Sequence, residues 1–238
     1  MKNPLFWIAL LPYLGLLTCQ DDSLPIPEPS ATTISQLQFI GEQIIDAETS
    51  YQGEEVGGLS GIDYANGTYY LLSDNRTPPI RFYQMELSFD QTSFTSVSIL
   101  QQTELLEAGN TPFADGVVDP ESIRFDPSTG NIVWSSEGRS SGIEINPFVR
   151  EAKTNGDFVK EYAVPELFEA DASGEQGFRN NGVFEGLSLS ANGEGFWVGM
   201  ELPLVQDGPE PEFGTDTDSP IRITYIDRNT GTYGRQFA

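Results

Sequence analysis

Three segments of the chain follow one plan, and this internal repeat constrains the fold more than any other feature. The segments are "LSGIDYANGTYYLLSD" (59–74), "PESIRFDPSTGNIVWSSE" (120–137) and "FEGLSLSANGEGFWVGME" (184–201). With Gly61, Ser122 and Gly186 as equivalent positions, the steps are 61 and 64 residues. Short strands repeated at such a period are typical of a β-propeller, whose blades are four-stranded antiparallel sheets around a channel.

The rest of the sequence agrees with an all-β protein. Runs rich in β-branched and aromatic residues alternate with turns and are predicted to be strands, among them "QLQFIGEQII" (36–45), and no long helical period occurs. Because the repeat is longer than the roughly 40–45 residues of a WD40 blade, we expect long loops at 103–119, 165–182 and 203–219. Trp134 and Trp197 are predicted to occupy one repeat position, between blades. A β-sandwich is the alternative fold, although its strands would not repeat as blocks.

The length of the repeating region predicts an incomplete propeller. Residues 34–238 comprise 205 residues, slightly more than three periods, whereas propellers typically have four to eight blades. We therefore expect about three blades and a chain truncated at its C-terminus. The assembly of two half-rings is the alternative.

Composition excludes several functions. The chain has 36 acidic and 12 basic residues, a formal charge of −24 and no histidine. Nucleic acid is therefore not an expected partner, because phosphate contacts need clustered Lys and Arg. Without an imidazole, a Ser-His-Asp triad, a His-bearing zinc site and a phosphohistidine intermediate are excluded. The acidity is explained either by solubility in a salty or extracellular setting or by carboxylates that bind a divalent cation.

The N-terminus predicts export. "MKNPLFWIALLPYLGLLTCQDD" has an apolar run that is shorter than a membrane span, and it ends at Cys19, the single cysteine. "LLTC" resembles the lipobox of bacterial lipoproteins, with Thr18 as a departure from the usual small residue. We predict a signal peptide over 1–19 with lipidation at Cys19, a proline-rich tether over 20–33 and the propeller domain over 34–238. The protein would be a cell-envelope lipoprotein, periplasmic or on the outer surface, that meets the membrane only through its lipid; ordinary cleavage and secretion is the alternative.

Four longer stretches carry a family resemblance. They are "GGLSGIDY…YYLLSDN", "DPESIRFDPSTGNIVWSSEGR", "FRNNGVFEGLSLSANGEGFWVGMELPLVQDG" and "SPIRITYIDRNTG", in this order, from Gly57 to Gly231. Together they resemble the phytase-like domain described as "esterase-like activity of phytase", found mainly in secreted bacterial proteins. The resemblance implies a six-bladed type of propeller, longer than this chain, and hydrolysis of phosphoesters or esters.

The acids at the ends of the repeats are the first candidate site. Equivalent strand ends of a propeller converge on its axis, so these carboxylates are expected to form a ring at the channel mouth. We predict acid/base roles for Glu121, Glu185 and Glu201, and metal binding by Asp74 and Glu137, with Ser60 in place of an acid in the first repeat. Oxygen ligands favour Ca²⁺ or Mg²⁺, and no organic cofactor is expected. The alternative is that the carboxylates only cap strand ends.

Cations beside these acids form the second candidate site. The residues predicted to bind substrate are Arg76, Arg139, Arg179, Asn180 and Asn181. A planar guanidinium beside a metal-binding acid can hold two phosphate oxygens. The alternative is an Arg–carboxylate pair that ties adjacent blades. The acidic loop 207–220 lacks the spacing of an EF-hand and is interpreted as a surface loop.

The sequence therefore predicts an exported, metal-assisted hydrolase that acts on a small phosphorylated or ester substrate. A different class of function is also open, in which a non-catalytic surface propeller binds a glycan or a protein and the acids are structural. Convergence of the carboxylates in space would favour the first hypothesis. The sequence does not predict an oligomeric state.

Overall fold

The computed structural model describes residues 34–142, 144–171, 173–212 and 218–238. The chain divides into two units, Met1–Phe39 and Ile40–Ala238. Every strand and helix of the described residues lies in the second unit. The predicted signal peptide, Cys19 and the predicted tether lie outside the described residues. The predicted strand over 36–45 is wrong, because none of these residues pairs in a sheet.

The described residues of the second unit form three four-stranded antiparallel sheets, which we call blades 1, 2 and 3. Each is a meander in which consecutive strands are neighbours. Blade 1 consists of β3 (Leu59–Ala65), β4 (Thr68–Ser73), β5 (Arg81–Phe89) and β6 (Phe94–Glu104). Blade 2 consists of β7 (Pro120–Asp126), β8 (Asn131–Ser136), β9 (Phe148–Ala152) and β10 (Phe158–Tyr162). Blade 3 consists of β11 (Phe184–Leu189), β12 (Gly195–Met200), β13 (Ile223–Asp227) and β14 (Tyr233–Phe237).

The remaining elements are short. Strands β1 (Ser50–Tyr51) and β2 (Glu54–Glu55) form a two-stranded ribbon before blade 1. Two 3₁₀ helices, Glu166–Phe168 and Val205–Asp207, lie in the long loops that the repeat period predicted. Among the described residues, no helix has the length and apolar character needed to cross a membrane. The three four-stranded sheets and the small share of helix confirm the predicted all-β propeller with about three blades.

Apolar side chains bury the faces between neighbouring blades. Between blades 1 and 2, one cluster includes Leu72 and Phe82 on one side and Ile123 and Trp134 on the other. Between blades 2 and 3, a second cluster joins Val133, Val149 and Tyr162 to side chains that include Phe184, Phe196 and Val198. Each blade thus buries alternate residues against each neighbour, as the period of two in a strand requires. This packing fixes the position of one inner strand relative to the next.

The two tryptophans do not occupy one repeat position. Trp134 pairs with Ile123 across the hairpin, whereas Trp197 pairs with Ser188, and Val198 takes the position equivalent to Trp134. A shift of one residue moves a side chain to the opposite face of a strand. Trp134 is therefore buried between blades, while Trp197 packs on the other face of its own sheet, 5.1 Å from the ring of Tyr225.

Candidate active site

A β-bulge lies at the start of the first strand of every blade. The pairing register shifts between Leu59 and Gly61 in β3, between Pro120 and Ile123 in β7, and between Phe184 and Gly186 in β11. The residues in these shifts include Ser60, Glu121 and Glu185, which are equivalent in the repeat. A bulge redirects a side chain that a regular strand would point to one face. The bulges therefore place Glu121 and Glu185 at the same end of the inner strands.

Close contact between inner strands brings these bulges together. Gly61 lies so near β7 that an added Cβ would be 2.9 Å from the carbonyl oxygen of Glu121. Ser122 Oγ donates a hydrogen bond to the carbonyl oxygen of Glu185 in the next blade. The starts of β3, β7 and β11 are thus side by side, so the acids from different blades converge.

The backbone of Val183 holds three of the predicted acids. Its N–H donates to Oε1 of Glu137 at 2.9 Å, although Glu137 belongs to blade 2. Its carbonyl oxygen accepts from the N–H groups of Glu185 at 3.2 Å and Glu201 at 2.9 Å. One peptide segment before β11 therefore fixes both acids of blade 3 and the trailing acid of blade 2.

Five carboxylates form two overlapping groups. The first contains Asp119, Glu121 and Glu137, and the second contains Glu137, Glu185 and Glu201; in each group, one oxygen from every residue lies within 4.8 Å of the others. Four of these residues were predicted from the repeat. Asp119 was not, and we call the five residues together the carboxylate cluster.

Glu137 is the member that both groups share. Its side chain is 1% exposed, and its Oε2 has no hydrogen-bond partner among the residues that the structure describes. A buried polar atom normally has a partner, and an ionised carboxylate without one is costly. An orphaned carboxylate oxygen among other carboxylates fits a bound cation.

Burial and mutual repulsion raise the pKa values of the cluster. Desolvation and then the charges of Glu185 and Asp119 raise the pKa of Glu121 to about 8. Desolvation is also the main cause that raises the pKa of Glu137 to about 7, against the lowering effect of the Val183 N–H. Desolvation raises the pKa values of Asp119 and Glu185 as well. Without a cation, the cluster therefore holds protons near neutral pH.

Asp74 lies at the edge of the carboxylate cluster. Its N–H donates to the carbonyl oxygen of Gly58 at 2.7 Å. A Cβ at Gly58 would be 1.8 Å from Oδ1 of Asp74, and Gly58 has a φ of +56°, so glycine is required here on both counts. The Asp74 charge contributes to the raised pKa values of Glu121, Glu185 and Asp119.

Two of the three predicted arginines lie beside the cluster. Arg76 forms a salt bridge with Asp119 and donates to Oδ1 of Asn181 at 3.0 Å, so it links loops of all three blades. Arg139 donates to the carbonyl oxygen of Gly116 at 2.6 Å. Both guanidiniums line a small pocket together with Asp119 and Glu137. The side chain of Arg76 is 45% exposed, which leaves part of it accessible to a ligand.

Arg179 and Asn180 contact neighbouring loops. The guanidinium of Arg179 donates to the carbonyl oxygens of Pro203 at 3.1 Å and Gly208 at 2.5 Å, and so ties down the loop after β12. Oδ1 of Asn180 accepts hydrogen bonds from the backbone and hydroxyl of Ser141. These contacts stabilise loops, and substrate binding by the two residues stays a prediction.

Comparison with known proteins identifies a family. The family model for a phytase-like domain, "Esterase-like activity of phytase", matches residues 54–238. A comparison with curated proteins found no match. A solved structure described as a GH43 β-1,3-galactosidase is similar, with a TM-score of 0.38 and 16% sequence identity, over 73% of this chain and 33% of that one. The chain thus spans about a third of the length of that structure.

Proposed function

The chain belongs to the phytase-like family described as "Esterase-like activity of phytase", and from this premise we propose that it is a metal-assisted hydrolase of phosphoesters. The carboxylate cluster would hold a divalent cation, and Arg76 and Arg139 would hold the phosphoryl group. The active centre would lie where the starts of the inner strands meet. Export as a lipid-anchored envelope protein is part of the same proposal.

One observation carries the proposal, namely the orphaned Oε2 of Glu137 among four other carboxylates. The donor set fits the proposed cation, because it consists of oxygens only, which are the ligands that Ca²⁺ and Mg²⁺ prefer. The number of carboxylates within reach suits Ca²⁺, which takes six to eight oxygen ligands. Such a cation supplies a Lewis acid and lowers the pKa of a bound water.

Glu121 would be a ligand of the cation from the side of blade 2. Its pKa of about 8 holds for the chain without a cation, and a bound cation would displace the proton, because a carboxylate ligand is ionised. Glu185, whose charge contributes to the raised pKa of Glu121, would be a further ligand. Glu201 would complete the cation site from blade 3.

The two arginines account for a preference for an anionic substrate. Each guanidinium has five N–H donors in a fixed plane, and the contacts of Arg76 with Asp119 and Asn181 hold that plane at the rim of the cluster. A phosphoryl group offers oxygens at the spacing that guanidinium recognises. A neutral carboxylic ester would use neither arginine.

Turnover of p-nitrophenyl phosphate and p-nitrophenyl acetate, with Ca²⁺ and with a chelator, tests the proposal. We expect Ca²⁺-dependent release of phosphate that falls at least 100-fold in Glu137→Gln. The matched control is Glu86→Gln, an exposed position on β5 of blade 1, which should keep the rate of the parent chain. Turnover of the acetate alone would contradict the phosphoester assignment. Cation binding without turnover of either compound would favour the surface-binding alternative.

A further inference from the structure

We propose that the carboxylate cluster binds two divalent cations, with Glu137 as the ligand that both share. This inference rests on the proposed function, because it assigns the number of cations at the same site. The two ligand groups supply its first argument. Asp119 and Glu121 form a group with Glu137 on the side of blade 2, and Glu185 and Glu201 form another with Glu137 on the side of blade 3.

The anchoring of Glu137 is the second argument. Its Oε1 accepts from Val183 N–H, while its buried Oε2 has no hydrogen-bond partner in the described part of the chain. Each carboxylate oxygen has two lone pairs, so this side chain retains capacity for more than one cation. Val183 also holds the backbone of Glu185 and Glu201. The shared ligand and the two ligands of the second group are therefore fixed by one residue.

The charge of the site is the third argument, and it is independent of the grouping. Six carboxylates interact electrostatically at this end of the blades, and two guanidiniums lie among them. With every group ionised, these eight described groups carry a net charge of −4, which two divalent cations neutralise and one does not. The carboxylates are Asp74, Asp119, Glu121, Glu137, Glu185 and Glu201, and the guanidiniums are Arg76 and Arg139.

The number of bound cations tests the inference directly. The purified chain is stripped with a chelator and dialysed against Ca²⁺, and the bound Ca²⁺ per chain is then measured by mass spectrometry of the metal. We expect two ions in the parent chain, one in Glu121→Gln, one in Glu201→Gln and none in Glu137→Gln. Glu86→Gln should retain two. Far-UV circular dichroism of each variant shows whether it is folded.

Mn²⁺ provides a spectroscopic test of sharing. Because Mn²⁺ also prefers oxygen ligands, it should replace Ca²⁺, and two ions that share a carboxylate should give an exchange-coupled paramagnetic resonance spectrum. That coupling should disappear in Glu121→Gln and Glu201→Gln, which retain one ion each. Two uncoupled ions, or an ion retained in Glu137→Gln, would overturn the shared ligand.

The outcomes also separate this inference from the proposed function. One Ca²⁺ per chain, lost equally in Glu121→Gln and Glu201→Gln, would overturn the second cation, while Ca²⁺-dependent turnover would leave the hydrolase proposal intact. Two bound ions without turnover would support the inference and contradict the hydrolase. A parent chain that binds no Ca²⁺ would overturn both.

Discussion

The interface between blades 2 and 3 has two ends, and buried carboxylates have different charged neighbours at each end. At the end formed by the hairpin turns, Asp126 is fully buried and lies 3.0 Å from Arg228. Glu151, 3% exposed, accepts from Tyr162 and lies 3.6 Å from Lys160. Lys160 also donates to the carbonyl oxygen of Arg228, which joins the two pairs. Two acids are therefore matched by two cations.

At the other end, the carboxylate cluster has more negative than positive charge. Asp126 at the turn end also has an oxygen without a hydrogen bond, but its charge is matched by Arg228. Among the described residues, the side chain of Glu137 accepts a hydrogen bond only from the N–H of Val183, and further acids surround it. The difference suggests that the turn end holds the blades together, whereas the cluster end needs a ligand from outside the chain.

Without a bound cation, substitution of Asp126 at the turn end should change the free energy of unfolding more than any other substitution proposed here. Asp126→Asn leaves Arg228 in a mostly buried position without its counter-charge, and we expect a loss of about 3 kcal/mol in the free energy of unfolding, measured by urea denaturation. Asp126 caps its turn as well, because its Oδ1 accepts from the N–H and the hydroxyl of Ser128. The control is Asp90→Asn, because Asp90 likewise accepts hydrogen bonds from the residues that follow it in an exposed turn but has no salt bridge among the described residues. Equal losses in both variants would show that turn capping, not charge matching, is what Asp126 contributes.

A cation should stabilise the cluster end in a way that the turn end cannot reproduce. Ca²⁺ at 100 times its dissociation constant should raise the free energy of unfolding by about 2.7 kcal/mol for each site that it fills. The increase should vanish in Glu137→Gln and persist in Asp126→Asn. Thermal unfolding with Ca²⁺ and with a chelator measures it. A similar increase in all three proteins would place the cation elsewhere.

The cluster end should also determine how stability responds to pH in a chelator. The pKa values of Glu121 and Glu137, about 8 and about 7, lie above the ordinary 4.5, so between pH 5 and 8 the folded chain binds more protons than the unfolded chain. The free energy of unfolding therefore falls as pH rises, by roughly 2 kcal/mol once solvent screening is included. Carboxyls with lowered pKa values change the free energy of unfolding only below pH 5, because their ordinary pKa is 3.8. These carboxyls are Asp90, Asp157, Asp171 and Asp227.

Urea midpoints measured from pH 5 to pH 8 check this sign. Saturating Ca²⁺ should reverse the trend, because ionised carboxylates bind the cation better than protonated ones. Stability that rises with pH in the chelator would contradict the raised pKa values.

The repeat predicted the blades and the positions of four cluster acids, because strand ends that recur by blade must recur in space. It did not reveal the bulges, since a register shift depends on pairing between strands. Asp119 was missed because it lies outside the repeat, although an acid two residues before Glu121 in the apolar context "VVDPE" was a signal. The error at Trp197 was avoidable: Trp134 precedes Glu137 by three residues, whereas Trp197 precedes Glu201 by four.

The predicted strand over 36–45 failed for a different reason. Its alternating apolar residues satisfied the sequence pattern of a strand, but no strand of the described residues pairs with it. Isolated β-structure gains little without a partner. The contacts of Arg179 could not be predicted from the sequence either, because its position before "NNG" does not show which loop its guanidinium contacts in the fold.

Without a bound cation, Glu137→Gln should have the smallest effect on the free energy of unfolding, and this small effect distinguishes the cluster end from the turn end most directly. In a chelator at pH 8, Glu137→Gln removes a buried charge that faces other acids, so the free energy of unfolding should change by no more than about 1 kcal/mol and should not fall as it does in Asp126→Asn. The amide retains an oxygen for the N–H of Val183 and offers donors to neighbouring carboxylates. Urea denaturation of both variants, in parallel with the parent chain, makes the comparison. A loss in Glu137→Gln as large as that in Asp126→Asn would mean that Glu137 is a structural contact between blades, because only a stabilising carboxylate is costly to remove when no cation is bound.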